Sequence, residues 1–207
     1  MKRIVLVCLF FISFINISLS QKSFTGVAKY KMKVEGALNN NTDSMKVVFG
    51  KDKIMTIFYL PAAENSDKPK ESIYIDDFAS NTTTEINKET MTYSVTPLNN
   101  IEEYQFMKTN KFNAVQNNIC ITYLVDTTKM DREKYKKIYC LASVDYSYYE
   151  KNNYFFYGVQ PIIIDNRIVF DYTIEQKDGQ KPKVFLYDIQ KLDDVESYFS
   201  LWGYKLK

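Results

Sequence analysis

Val27-Ala28-Lys29-Tyr30-Lys31-Met32-Lys33-Val34 decides the fold class. Ala28, Tyr30, Met32 and Val34 fall on one side of an extended chain and the three lysines on the other, the period-2 pattern of a strand with one buried and one wet face. The signal continues downstream. Met45-Lys46-Val47-Val48-Phe49 and Lys53-Ile54-Met55-Thr56-Ile57-Phe58-Tyr59 flank Gly50-Lys51-Asp52 as a hairpin, with Gly50 free to take the positive φ of a tight turn. Residues 61–71 are polar and read as a loop. Ile73-Tyr74-Ile75, Thr83-Thr84-Glu85-Ile86 and Met91-Thr92-Tyr93-Ser94-Val95 follow as short strands separated by polar turns, the spacing of an antiparallel meander.

Further strands are expected over residues 119–125, 138–142, 162–174 and 184–189, the last two joined through the hairpin signal Lys177-Asp178-Gly179-Gln180. Two short helices are expected. Thr128 caps a turn running through Met130, Lys134, Tyr135 and Ile138. Asp193 or Asp194 caps the second, with Glu196 in capping-box position and Val195, Tyr198, Phe199 and Trp202 on one face. About nine to eleven strands in one domain must close into a barrel, pair with a second sheet, or curl under a cover of helices and loops.

The N-terminus has a different character. Lys2-Arg3 precedes an almost unbroken apolar run from Ile4 to Ile15, and Ser18-Leu19-Ser20 is a small-x-small cleavage site that makes Gln21 the new N-terminus. Residues 1–20 read as a signal peptide and 21–207 as the working domain. The run is shorter than a spanning helix needs. Val7 before Cys8 does not make a lipobox, so the expected location is periplasmic or secreted, without a spanning segment or lipid anchor.

Charge and composition exclude several functions. The chain carries 27 Lys plus Arg against 25 Asp plus Glu, and losing Lys2 and Arg3 leaves 25 of each. With no basic excess or cluster, nucleic-acid binding is not expected. Histidine is absent, which removes Ser-His-Asp and Cys-His catalysis and His-ligated zinc. Asp76-Asp77, Glu102-Glu103 and Asp193-Asp194 are sequence neighbours, so on a strand their side chains point to opposite faces and do not form a two-carboxylate site. There is no P-loop, Gly-x-Gly-x-x-Gly or calcium-loop motif. The reading is of a protein that is not an enzyme and has no metal or cofactor.

Cys120 and Cys140 are the thiols left after cleavage, and an even count in an exported protein reads as one disulfide. Closing that loop would stabilise by about 3 kcal/mol. The alternatives are two buried free cysteines on neighbouring strands, or a two-cysteine zinc site.

Tyrosine and phenylalanine are abundant, 17 and 14 residues, and densest from Asp145 to Gly158. Rings with polar tips suit a lipid cavity, a sugar-stacking platform or a protein interface, or they plug the end of a sheet core. Tyr146, Tyr148, Tyr154, Phe156 and Tyr157 are the candidate ligand-binding residues.

Phe24-Thr25-Gly26 followed by a Tyr-Lys-Met strand, the segment Asn117-Asn118-Ile119-Cys120-Ile121-Thr122-Tyr123, the segment Gly158-Val159-Gln160-Pro161-Ile162-Ile163-Ile164 and the ending Val195-Glu196-Ser197-Tyr198-Phe199 resemble uncharacterised exported proteins of Bacteroidetes, including the GLPGLI group. The resemblance implies a LolA/LppX-like fold, mainly β (α+β): a curved antiparallel half-barrel sheet with short helices covering the concave face. Members of that fold class carry lipoproteins or lipids between membranes. The functional expectation is an exported, non-catalytic carrier or binder of an acyl chain, lipid or lipoprotein, with helices or the Tyr-rich segment as a lid. The alternative is a secreted module for cell-envelope proteins or glycans that uses exposed Tyr and Phe rings.

Overall fold

A computed structural model describes residues 23–33, 42–60, 70–98, 105–125, 135–156 and 160–207. The signal-peptide reading of residues 1–20 lies outside them. β1 (Gly26–Lys33) pairs antiparallel with β2 (Thr42–Phe49), and the expected hairpin to β3 (Lys53–Leu60) forms with Phe49 opposite Ile54. The meander continues through β4 (Lys70–Asp77), β5 (Thr82–Asn87) and β6 (Thr92–Pro97). β7 (Phe106–Val115), β8 (Asn118–Val125) and β9 (Tyr135–Ser147) form a second run. β10 (Tyr154–Phe156), β11 (Gln160–Ile164), β12 (Arg167–Gln176), β13 (Lys183–Lys191) and β14 (Lys205–Leu206) follow.

These strands make one sheet in the order β14-β6-β5-β4-β3-β2-β1-β13-β12-β9-β8-β7, antiparallel except where β14 joins β6. β12 holds the two runs together. One edge pairs with β9. The other pairs with β11 through Arg167 and Ile168 and with β13 through residues 171–173.

The expected helical cover is corrected: no α-helix lies among the described residues. Tyr135 and Ile138, expected on a helix, belong to β9, where Ile138, Cys140 and Ala142 alternate onto one face with Ile121, Tyr123 and Val125 of β8. The C-terminal segment makes only a 3-10 turn at Glu196–Phe199. Leu192, Val195, Tyr198, Phe199, Leu201 and Tyr204 pack along one face against Val27, Val48, Met55, Ile73, Ile75 and Ile86. An extended chain advances about 3.3 Å per residue against 1.5 Å for a helix, so an extended strap can deliver these side chains across several strands. The strap also covers the start of the β1 side expected to be wet: Val27 is buried there, while Lys29 and Lys31 stay partly exposed and Lys33 is exposed.

Two connections refine the reading. Residues 162–174 are not one strand, because Asp165 and Asn166 take positive φ (52° and 58°) and turn the chain between β11 and β12. Gly50 has no positive φ; a β-carbon there would stand 2.7 Å from the Phe199 ring, so this glycine makes room for the strap.

Candidate functional site

The face of β1–β3 opposite the strap is apolar, with Ala28, Tyr30, Met45, Val47, Phe49 and Ile54 in one cluster. The β10–β11 hairpin lies on it and adds Tyr154, Ile162 and Ile163 to that cluster. Among the described residues, two register pairs, Ile163 with Ile168 and Ile164 with Arg167, join the hairpin to β12. Backbone bonds pin its base: Tyr148 N–H donates to Asn166 O (2.7 Å) and Asn166 N–H to Asn152 O (2.8 Å). The Tyr-rich segment therefore begins in β9, which runs to Ser147, and only its β10 part lies in the flap over the apolar sheet face.

Three candidate residues meet there. Tyr148 is fully buried, and its hydroxyl donates toward Lys51 O at 3.3 Å. Tyr154 is buried, and its hydroxyl donates to the Asp76 carboxylate on β4, which also accepts from Thr83 Oγ1 at 2.6 Å. Burial, and then the Asp76 charge, push the Tyr154 phenol well above its usual range, so it stays a proton donor. Tyr146 is half-buried between Phe24 (5.3 Å, edge-on) and Phe170 (5.8 Å). The β10 backbone includes Phe156, whose side chain lies outside the described residues, as does Tyr157.

Sequence reasoning missed the partners of these rings. Phe78 meets both Tyr148 (6.5 Å) and Tyr154 (5.7 Å), and Phe49 meets Tyr148 at 5.6 Å. Asp76 was legible only as half of an acidic pair. In the structure it is buried, while Asp77 at the strand end pairs with Lys53. On the outer side of the hairpin, Phe155 stacks on Phe106 of β7 (5.3 Å, 11°).

The expected disulfide is corrected. Both cysteines are free and buried. Cys120 lies opposite Ser143 and Cys140 opposite Tyr123, three positions along the β8–β9 ladder. An odd offset places them on opposite faces, and they sit in different clusters. Burial pushes the Cys120 thiol up to about 11, assisted by Asp145 and Asp171. Cys140 is raised by burial and by Asp171. These are inert packing groups rather than nucleophiles.

Among the described residues, no group of three acidic or cysteine side chains is placed to hold a metal ion. No helix there is long and apolar enough to cross a membrane.

No family model and no curated protein matches the chain. The GLPGLI resemblance therefore has no family match behind it. The protein PNGF-II, solved in two crystal forms, is similar in structure at TM-scores of 0.56 and 0.54 and 12% identity, over 89% of this chain. This is a likeness of fold, and the chain spans only 30% of the length of PNGF-II. The neighbours also include the LolA superfamily protein NE2245 of Nitrosomonas europaea (TM-score 0.37, 10% identity, 88% of this chain and 91% of that one). A DUF1329 family protein of Desulfovibrio piger is weaker still (0.30, 13%, 90% and 93%).

Proposed function

We propose that this protein is an exported, non-catalytic binder of a hydrophobic ligand, and that the β10–β11 hairpin is the lid over the binding face. The supporting observation is the hairpin itself: an aromatic flap with a pinned base, two register pairs to β12 and one tyrosine–aspartate bond across an apolar sheet face.

Magnitudes narrow the ligand. Lifting the hairpin separates Tyr154, Ile162 and Ile163 from the cluster they share with side chains such as Phe49, Ile54 and Phe170. At about 1.5–3 kcal/mol each, that costs about 9–18 kcal/mol. One acyl chain of about sixteen carbons returns about 12 kcal/mol at about 0.8 kcal/mol per CH₂, whereas two chains return about twice that. The return from one chain falls inside that range and the return from two exceeds it, so the proposed cargo is a lipid or lipoprotein whose two or more acyl chains cover the cost with a margin.

The test is mass spectrometry of organic extracts from protein purified gently after export, against a mock preparation. A stoichiometric diacyl or triacyl species is the expected result. An empty protein that also fails to take up a fluorescent diacyl lipid sinks the proposal.

A second reading, a module that binds an envelope protein or glycan, is favoured by Phe112 (64% exposed) on the edge strand β7 and Ile119 (55%) beside it on β8. The β7–β8 register puts both side chains on one face. Phe112→Ser with Ile119→Ser would then abolish partner capture at unchanged stability, and leave lipid loading intact.

A further inference from the structure

The C-terminal strap ends in a turn that displays one side chain. Tyr204 N–H donates to Leu201 O at 3.0 Å, and Gly203, third in Leu201-Trp202-Gly203-Tyr204, has φ +88°. That is the positive φ of the third position in a type II turn, which favours glycine. Leu201 and Tyr204 pack against the strap-side cluster. Trp202 at the crest is 91% exposed. Its exposure is a consequence of a turn anchored on both sides, not of a fraying end.

The same corner gathers other apolar side chains. A β-carbon at Gly203 would lie 3.8 Å from Met91 Cε, and Met91 O accepts from Lys205 N–H at 3.0 Å, so the turn sits beside the tip of the β5–β6 hairpin. Leu206 aligns with Tyr93 of β6, and Val95 lies two residues further along. Met91 and Val95 are each 46% exposed and Leu206 65%. Lys205 and Lys207 are exposed on the other face of the same edge strand, with Glu89 the acidic residue of the adjoining turn and Lys88 bound to Glu71 at 2.5 Å.

We propose that this corner docks the protein on an anionic lipid surface, Trp202 and Leu206 entering the interface with Lys205 and Lys207 over the headgroups. Three features select a membrane over a protein groove. The tryptophan stands on a convex crest, its indole has one polar and one apolar end, and the flanking charge is cationic. The proposal goes beyond the lid reading, because it uses the strap and β6 rather than the hairpin.

The chain contains one tryptophan, so its fluorescence reports this corner alone. The probes are vesicles of phosphatidylcholine with and without phosphatidylglycerol, and the sample is the protein recovered after export. The expected result is a blue shift of the emission and quenching by brominated lipid with the anionic vesicles, both weakened by salt. Trp202→Ser with Leu206→Ser should lower vesicle flotation by about tenfold or more at an unchanged melting temperature. Unchanged emission with both vesicle types, or flotation that the double variant retains, overturns the proposal. Empty lipid extracts alongside a normal blue shift would remove the lid reading and leave this one standing.

Discussion

Tyr154 on β10 donates a hydrogen bond to the buried carboxylate of Asp76 on β4, a residue 78 positions earlier in the chain. The bond joins the aromatic flap to the meander beneath it. Leaving a buried carboxylate one donor short costs about 1–3 kcal/mol or more. Tyr154→Phe is expected to lower unfolding free energy by that amount in urea titrations while the fold is kept. A loss under about 0.5 kcal/mol, the range of an ordinary surface substitution, would mean that the bond does not hold the flap.

The meander was legible because alternation at Ala28 and Tyr30, and at Ile73 and Ile75, is a local signal that any sheet must obey. The hairpin Lys177-Asp178-Gly179-Gln180 was legible for the same reason, and Gly179 takes φ +89°. β7 was not foreseen, since Phe106–Val115 is an exposed edge strand with little alternation to detect. The strap failed as a helix prediction because helical spacing and a run of apolar residues spread over a sheet look alike when Val195, Tyr198 and Phe199 are read alone. The candidate rings were found from density in the sequence. What they touch was not, because Phe78 and Asp76 reach them only across the sheet.

The two thiols give a redox prediction. Cys120 and Cys140 are held on opposite faces, buried and raised in pKa, so electrophoretic mobility should not change on reduction and a thiol reagent should label neither in the folded protein. In protein recovered after export, without residues 1–20 and Cys8, denaturant should expose two reactive thiols, counted by the same reagent.

Asp171 supplies a pH test. Its side chain is 6% exposed and bridges Lys183 Nζ at 2.5 Å, while Lys183 is 42% exposed. Burial raises the Asp171 carboxyl above its ordinary value, with Lys183 and Thr173 opposing. A carboxyl raised on folding favours the folded state below its unfolded pKa, and that contribution is lost as pH rises through the folded pKa. Lys183→Met leaves the charge unpaired and should cost about 1–3 kcal/mol at neutral pH. The deficit should shrink as pH falls through the raised folded pKa of Asp171, which takes up a proton there, as followed by thermal melts across pH.

Gly50 tests the strap. Gly50→Ala puts a β-carbon 2.7 Å from Phe199 Cε2 and 3.3 Å from Lys53 O. The ring must move, and overpacking of this kind costs about 1–3 kcal/mol. Hydrogen exchange should show faster opening of residues 196–204, with the Cys120 and Cys140 strands unaffected.

On the lid proposal, the hairpin carrying Tyr154 lifts from the sheet to admit a lipid with more than one acyl chain. The direct measurement is stopped-flow uptake of a self-quenched fluorescent diacyl lipid by wild type and by Tyr154→Phe. The expected result is saturable, stoichiometric uptake that is faster in the variant, because its flap has lost the bond to Asp76. No uptake by either protein, or identical rates in both, would contradict it.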